Sequence, residues 1–483
     1  MPQINKNLIL LVNPPYTNIE GMKESAGHAM PLNLAYLASY LRTKIDCQIK
    51  IIDAEADSLS IENIVDKIIE LNPQIAGFTI PTPSFNSIIK ITKLIKEKNN
   101  RIILVGGGPH PTVLPEETLK DSFLDFIVLS EGEITFYELV KKITDQESDF
   151  EKINGLAFRN QEKTIITERR KLIGNLDDIP LPARDLFDLK KYYTAPTKKT
   201  SSASYDTPIL TSRGCPYNCT FCISSCMWGQ GVRFRSIDNV IKEMGECIEK
   251  YGINEFNVID DTFTIDNKRV MTICQIIIDK GWKISWNCMG RVNTITDEMI
   301  KLMKRAGCKK IAFGLESGNE EVLKLMNKKA SLKMAEEAVG IARKNGIEVL
   351  GSFMIGNIGE TKERIMETVN FAKRLDLDNA TFFIVCPYPG TEIYKIAKEK
   401  GFVPGGNKWE EFAPLTKTKP ILIQDNLSAE ELIYLQKLAF RKFYLRPKYI
   451  LKKLKKIKKI GDLKIIFEGL RILARILNKK FKK

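Results

Sequence analysis

Three cysteines, Cys215, Cys219 and Cys222, lie within the stretch Arg213-Gly-Cys-Pro-Tyr-Asn-Cys-Thr-Phe-Cys222. Their spacing is C-x3-C-x2-C, directly after the short apolar run Pro208-Ile-Leu-Thr211. Iron–sulfur clusters are held by cysteine thiolates. Three thiolates on one tight loop can hold three irons of a cubane and leave the fourth iron open to a small molecule. Zinc, with Cys226 as a fourth ligand, is the alternative. Structural zinc sites usually show two separated C-x2-C pairs, so the spacing fits zinc poorly. Cys226 is left outside the ligand set. The chemistry is assigned to Cys215, Cys219 and Cys222.

The elements around this loop form an alternating series. Strand-like runs are Pro208–Thr211, Glu255–Asp260, Ile284–Cys288, Lys310–Leu315, Val349–Ile355 and Thr381–Cys386, with helical patterns such as Ile237–Tyr251, Lys268–Lys280 and Thr296–Ala306 between them. Six such units predict a partial (β/α)6 TIM barrel, whose site lies at the carboxyl ends of its strands. The cysteine loop follows the first strand. An earlier series has strands at Leu8–Val12, Ile49–Asp53, Ile75–Ile80, Arg101–Gly106 and Phe126–Leu129, with helices such as Leu32–Thr43 and Ile61–Leu71. This pattern predicts a flavodoxin-like, doubly wound parallel sheet with ligands beyond its strand ends. Those ends carry Asn13, Pro14, Asp53, Gly106, Gly107, His110, Glu131 and Gly132. The fold class is therefore α/β. Residues 1–144 form the first domain, 145–205 a linker with local structure, 206–427 the barrel, and 428–483 a basic amphipathic helical tail, with Pro447 at a helix start and Gly461-Asp462 between two helices.

The chain has 483 residues, ten cysteines and a formal charge of +15. Scattered cysteines in a chain this long do not read as a disulfide framework. The first apolar stretch is too short for a signal peptide, and no run approaches a membrane-spanning helix. The expected location is the cytoplasm, at the inner membrane surface if the tail engages lipid. From Arg441 to Lys483 there are 17 Lys or Arg, with Asp462 and Glu468 the only acids, so the whole excess charge falls in the tail.

The cysteine loop and the segments after it resemble the radical S-adenosylmethionine (SAM) enzymes. Ile259-Asp-Asp-Thr-Phe263 looks like the family's second-strand segment that meets the SAM amino group, which implies roles for Asp260 and Asp261. Met289-Gly-Arg291 follows the third strand, where Arg291 would pair with the SAM carboxylate. Gly314-Leu-Glu-Ser-Gly318 resembles the fourth-strand motif near ribose and methionine and implicates Glu316 and Ser317. Phe353-Met-Ile-Gly-Asn-Ile-Gly-Glu360 resembles the fifth-strand motif beside adenine and implicates Gly356, with Ile358 where proline is commoner. Pro387-Tyr-Pro-Gly-Thr391 closes the series. Each motif is weak alone; the ordered set across roughly residues 206–400 is specific. The resemblance implies a 4Fe–4S cluster, SAM cleavage to a 5′-deoxyadenosyl radical, and a flavodoxin- or ferredoxin-type electron donor.

The first domain resembles the cobalamin-binding domain often found before such barrels, through Leu11-Val-Asn-Pro-Pro-Tyr16, Met30–Tyr40, Gly106-Gly-Gly-Pro-His-Pro-Thr112 and Glu131-Gly-Glu133. Asn13, Pro14, Asp53, Gly106, Gly107, His110, Glu131 and Gly132 are its implied cobalamin contacts. Many cobalamin domains carry Asp-x-His-x-x-Gly. Here the comparable stretch is Asp53-Ala-Glu-Ala-Asp57, and the chain's two histidines are His28 and His110. The departure implies base-off, His-off cobalamin. For His110 the plainer alternative is a ring satisfied by local backbone; His28 would approach the barrel. Gly106-Gly-Gly108 lacks the spacing of a dinucleotide fingerprint.

The implied activity is methyl transfer to an unactivated centre. The alternative keeps both cofactors for oxidative cyclisation or rearrangement, as in anaerobic magnesium-protoporphyrin ester cyclases. Methylthiotransfer to transfer RNA needs three more upstream cysteines, and residues 1–214 hold only Cys47. A zinc or nucleic-acid-binding protein is the distant alternative. In the tail, Leu463, Ile466, Phe467, Leu470, Leu473, Ala474 and Leu477 share a helical stripe against a basic wedge. Such a helix can lie on an anionic membrane, which suits a small, lipid-like substrate; nucleic acid is disfavoured because interleaved aromatics are missing. The alternative is a helix packed on the barrel with a solvated basic face.

Overall fold

The computed structural model describes residues 5–15, 27–161, 163–194, 206–403, 409–412, 420–422, 424 and 426–455, and five positions between 470 and 477. The first sheet is built from β1 (Asn5–Asn13), α1 (Leu32–Arg42), β2 (Gln48–Asp53), α2 (Ile61–Leu71), β3 (Pro73–Thr79), α3 (Phe85–Lys98), β4 (Ile103–Gly107), β5 (Phe126–Val128) and α4 (Gly132–Thr144). Its parallel strands stand in the order 2-1-3-4-5. This is the flavodoxin-like order, in which the strand order reverses between β1 and β3 and opens a crevice at their carboxyl ends. Both faces are covered, with Leu10, Phe78 and Leu104 packing on one side and Ile9, Leu11 and Val105 on the other.

Residues 145–205 do more than link. β6 (Leu156–Asn160) and β7 (Lys163–Ile166) form a hairpin that pairs antiparallel onto the edge strand β5. The hairpin covers backbone groups that β5 would otherwise expose. The later polar run Thr197–Ser204 lies outside the described residues. Between them, buried Arg184 donates to Thr207 Oγ1 (3.1 Å) and the Pro208 carbonyl (2.7 Å), and pairs with buried Glu243 at 2.6 Å. The segment is thereby pinned to the barrel's first strand.

The barrel runs β8 (Thr207–Ile209), α5 (Ile237–Tyr251), β9 (Glu255–Val258), α6 (Asn267–Asp279), β10 (Ser285–Gly290), α7 (Asp297–Arg305), β11 (Cys308–Glu316), α8 (Leu332–Lys344), β12 (Glu348–Ile355), α9 (Lys362–Arg374) and β13 (Asn379–Ile384). The six strands are parallel and in chain order. Phe256, Val258, Trp286, Cys288, Ile311, Phe313, Phe353 and Phe382 pack in the core beneath the helices. Side chains alternate along a strand, so Asn257, Ile259, Asn287, Met289, Gly314 and Met354 face the barrel axis.

An incomplete barrel leaves an open edge at β13. After α10 (Glu392–Glu399), α11 (Ala429–Tyr444) covers that edge. Gln436 Nε2 donates to the Phe382 carbonyl (2.8 Å), and the Tyr444 hydroxyl donates to the Ala380 carbonyl (2.7 Å) and accepts from the Ala380 amide (3.0 Å). Ser428 and Glu431 start α11 with a capping box. Residues 429–444 are thus a layer of the barrel, which corrects the placement of the tail at 428. α12 (Pro447–Lys455) follows, with Pro447 at its first position. The Gly461-Asp462 break and most of the 463–477 stripe lie outside the described residues.

Replacing Arg184 would leave the Glu243 carboxylate with one fewer buried partner. Arg184→Ala is expected to destabilise the protein by roughly 3–5 kcal/mol, measured by urea denaturation.

Candidate active site

The cysteine loop is shaped before any ligand is considered. Gly214 has φ +92°, and a Cβ there would stand 2.5 Å from the Gly231 carbonyl oxygen. Only glycine fits so close an approach at positive φ. Ser212–Arg213 pairs antiparallel with Arg233–Phe234 on the far side of the loop. Asp260 anchors the start of the loop, accepting from the Thr211 amide (2.6 Å), Thr211 Oγ1 (2.5 Å) and Ser212 Oγ (2.6 Å). Burial raises its pKa, and these hydrogen bonds oppose the rise. The expectation of Asp260 as a SAM contact is corrected: its carboxylate is committed to the loop. Its neighbour Asp261 accepts from Ser224 Oγ (2.6 Å) and faces a cavity; burial raises its pKa too.

None of the three cysteines is in a disulfide, and each is partly accessible. Cys215 Sγ lies 3.6 Å from Thr262 Oγ1, and Cys219 Sγ lies 3.5 Å from an Arg291 guanidinium nitrogen. Donors at sulfur support thiolate charge, so this donor set fits an iron–sulfur cluster. Burial pushes the free Cys222 thiol up to about 11; a coordinating metal reverses that by deprotonating the thiol outright. Cys226 Sγ donates instead to the Gly390 carbonyl at 3.0 Å. Among the described residues no three His, Cys, Asp or Glu side chains converge on a single-ion site. A cubane, which presents a separate iron to each thiolate, asks for no such convergence.

Around the barrel axis, Arg291 stacks 3.6 Å over the Tyr217 ring and donates to the Lys328 carbonyl. Glu316, at φ +61°, accepts from Lys328 Nζ at 2.6 Å, and both are buried. A Cβ on Gly314 would collide with this pair. Lys328 belongs to no motif recognised in the sequence, and only its proximity to Glu316 and Phe221 marks it. Ser317 is turned away, its hydroxyl 3.1 Å from Thr368 on α9. The expectation of a Ser317 cofactor contact is corrected, since the hydroxyl helps seat a helix. Gly356 (φ +81°) donates its amide to Glu360 (2.7 Å). Gln424, which no motif marks, clamps the same loop. Its amide donates to the Gly356 (2.8 Å) and Asn357 (3.0 Å) carbonyls and accepts from the Gly359 amide (2.9 Å).

A cavity of about 980 Å³ lies between the two domains. Asn13, Asp53, Gly106, Gly107, Gly108, Glu131 and Gly132 line it from the first sheet; Leu210, Gly214, Ile223, Met227, Trp228, Ile259 and Asp261 line it from the barrel. A largely apolar wall with a glycine strip fits a broad, flat ligand such as a corrin. A Cβ on Gly107 would find its nearest neighbour at 3.6 Å. Gly106 is small for another reason: Leu124 and Ile80 would stand 2.7 and 2.9 Å from its Cβ. Asp53 and Asn13 hold each other (2.8 Å), and Asp53 also accepts from the Tyr192 hydroxyl (2.9 Å). Burial raises the Asp53 pKa against these bonds. His28 lines the cavity, edge-on to Tyr193.

Three cobalamin expectations change. Pro14 is not among the lining residues. His110 is fully buried on the other side of its loop, between Phe85 (4.3 Å) and Trp409 (4.8 Å), and burial pushes its pKa down to about 3. Glu131 reaches the cavity, but its carboxylate is committed to Arg213 (2.7 Å), Arg233 (2.9 Å) and the Ile173 amide (2.7 Å).

A flavodoxin-like domain faces a six-stranded parallel barrel across a cavity that the flanks of the three-cysteine loop, Gly214 and Ile223, reach. The family model of the radical SAM superfamily matches residues 209–372, and that of the B12 binding domain matches residues 21–140. An uncharacterized methyltransferase of Pyrococcus horikoshii is 37% identical over 92% of this chain and 94% of its own length. An anaerobic magnesium-protoporphyrin IX monomethyl ester cyclase of Rubrivivax gelatinosus is 26% identical over 92% of this chain and 78% of its own. The fold is similar to the radical SAM methyltransferase TsrM of Kitasatospora setae, solved with cobalamin and a [4Fe–4S] cluster (TM-score 0.67, 18% identity, covering 83% of this chain and 79% of that one). The chain belongs to the cobalamin-dependent radical SAM enzymes, whose cofactors are a 4Fe–4S cluster, SAM and cobalamin.

Gly214→Ala is expected to keep the overall fold, read by circular dichroism, while iron content after anaerobic reconstitution falls sharply. Glu360 gives a pH-dependent test. Burial raises its pKa to about 7 in the folded chain, above the ordinary glutamate value near 4.3. Folding therefore takes up a proton between these values, and that stabilising contribution is lost as pH rises through 7. Thermal melts at pH 5 and pH 8 should show Glu360→Gln gaining stability relative to wild type at the higher pH.

Proposed function

We propose that this enzyme transfers a methyl group to an unactivated carbon or phosphorus centre of an apolar small molecule. The observation that carries the reading is the apolar cavity shared by the cysteine loop's flank and the glycine strip of the first domain. A substrate there would lie beside both cofactors. The similarity to an uncharacterized methyltransferase supports the same reading. When bound, the cluster and SAM supply a 5′-deoxyadenosyl radical, and cobalamin supplies a methyl carrier.

In this reading Cys215, Cys219 and Cys222 hold the cluster. Arg291 stands beside Cys219 and keeps a positive charge at the cluster's edge. Asp261 offers its carboxylate to the SAM amino group, and the Glu316–Lys328 pair borders the ribose and methionine. Gly356 presents backbone to adenine, in a loop held by Gln424 and Glu360. Gly107 lets cobalamin lie close to the first sheet, beside Gly106 and Gly132 on the same strip, with Asn13 and Asp53 fixing the strand ends beneath it. The Asp53–Asp57 stretch presents Glu55 to the cavity rather than an imidazole, so cobalamin is read as base-off and His-off. Leu210, Ile223, Met227, Trp228 and Ile259 exclude water from the substrate. A flavodoxin- or ferredoxin-type protein is the electron donor in this scheme. The described residues include no helix long and apolar enough to cross a membrane. A cytoplasmic enzyme that touches the inner membrane surface through its basic carboxyl-terminal region would meet a lipid-like substrate there.

Anaerobically reconstituted protein with cobalamin, SAM and a reductant tests the reading. The expected products are 5′-deoxyadenosine and methionine, with S-adenosylhomocysteine appearing in step once substrate is supplied. Cys219→Ala should abolish 5′-deoxyadenosine formation. Turnover of substrate with 5′-deoxyadenosine but no S-adenosylhomocysteine would assign the enzyme to cyclisation or rearrangement instead.

A further inference from the structure

α12 has two faces with opposite fates. Tyr449 is buried against the barrel, and its hydroxyl donates to the Asp378 carbonyl at 3.1 Å. Lys452 reaches the same place, 3.3 Å from Asp378. These contacts fix which side of the helix faces inward. On the other side, Ile450, Leu451 and Leu454 are 44, 57 and 54% exposed. Spacings of three and four residues put them on one stripe. A folded chain rarely leaves three aliphatic side chains of one short helix in water.

The charge around this stripe is one-sided. From Leu432 to Gly461 there are 11 Lys or Arg and no acid. Arg441, Lys442 and Lys448 are exposed. Leu445, 47% exposed, lies at the turn between α11 and α12. The acids nearest the helix, Asp376 and Asp378, are already paired with Lys448 (3.7 Å) and Lys452 (3.3 Å). Aliphatic side chains flanked by an excess of cations match the surface of an anionic bilayer: acyl chains accept the former and headgroups the latter.

We infer that the outer face of α12, with the adjoining basic surface, docks the enzyme on anionic lipid. The inference rests on the membrane contact proposed above and assigns it to a folded helix fixed to the barrel, rather than to the 463–477 stripe. A helix fixed in this way holds the whole enzyme against the lipid.

The test is sedimentation of the full-length protein with vesicles of phosphatidylcholine alone and of phosphatidylcholine containing phosphatidylglycerol. Wild type should bind the anionic vesicles and leave the neutral ones. I450E/L451E/L454E should weaken binding by about tenfold or more, with unchanged circular dichroism and iron content. R441E/K448E should weaken it in the same direction, and added salt should do likewise. Leu454→Trp provides a second readout, with emission shifting to the blue on anionic vesicles alone. Wild type that ignores anionic vesicles would overturn both the membrane contact and this assignment. Wild type that binds them while the triple variant binds equally well would overturn the α12 assignment and leave the contact to the tail. An RNA oligonucleotide bound tightly by wild type and triple variant alike, with no vesicle binding, would overturn the lipid reading in favour of nucleic acid.

Discussion

Arg213 is the joint of the molecule. Its guanidinium is buried between the Tyr36 and Trp228 rings, and it reaches Glu131 at 2.7 Å and Glu133 at 2.5 Å. Burial alone would lower its pKa, but the two carboxylates outweigh burial and raise it. Arg233 adds a second cation at Glu131, so two acids face two bases. Buried charges are tolerable only when so paired, and an orphaned partner is costly. The acids start α4 of the first domain, while Arg213 stands two positions before Cys215. One balanced cluster therefore sets how the domains meet and where the cysteine loop begins, and the cavity between them inherits its shape.

The chain beyond the sixth barrel strand completes what the two domains leave unfinished. α11 satisfies the open strand edge through Gln436 and Tyr444. Gln424 spends its whole side-chain amide on the loop after β12. Trp409 crosses to the first domain and lies against His110. With its pKa pushed down to about 3 by burial, His110 is uncharged near neutral pH and packs as a flat ring. Beyond Thr391 this segment carries no recognised motif, yet it holds the glycine loop of one domain and the Gly356 loop of the other.

Much of the frame was readable because it depends on local pattern. Short apolar runs such as Leu8–Val12 and Val349–Ile355 became buried parallel strands, and C-x3-C-x2-C marked the chemistry by spacing alone. The hairpin of β6 and β7 is not legible in the sequence because its outer half, Arg159-Asn-Gln-Glu-Lys163, reads as polar loop. Motif marks Asp260 and Ser317, but a motif does not show which way a side chain points. Motif alone suggests a cofactor contact at Glu131, since nothing local shows its partner Arg213, 82 positions away.

The sequence by itself determined the two α/β units, their order, the cysteine loop and the absence of an imidazole at Asp53–Asp57, since each depends on residue type or near-neighbour spacing. Only the tertiary structure decided which carboxylates are already occupied, which face of α12 stays outside, and that Lys328 and Gln424 belong to the site. Those outcomes depend on side chains from distant elements competing for the same buried hydrogen-bonding partners, and no local pattern records the result of that competition.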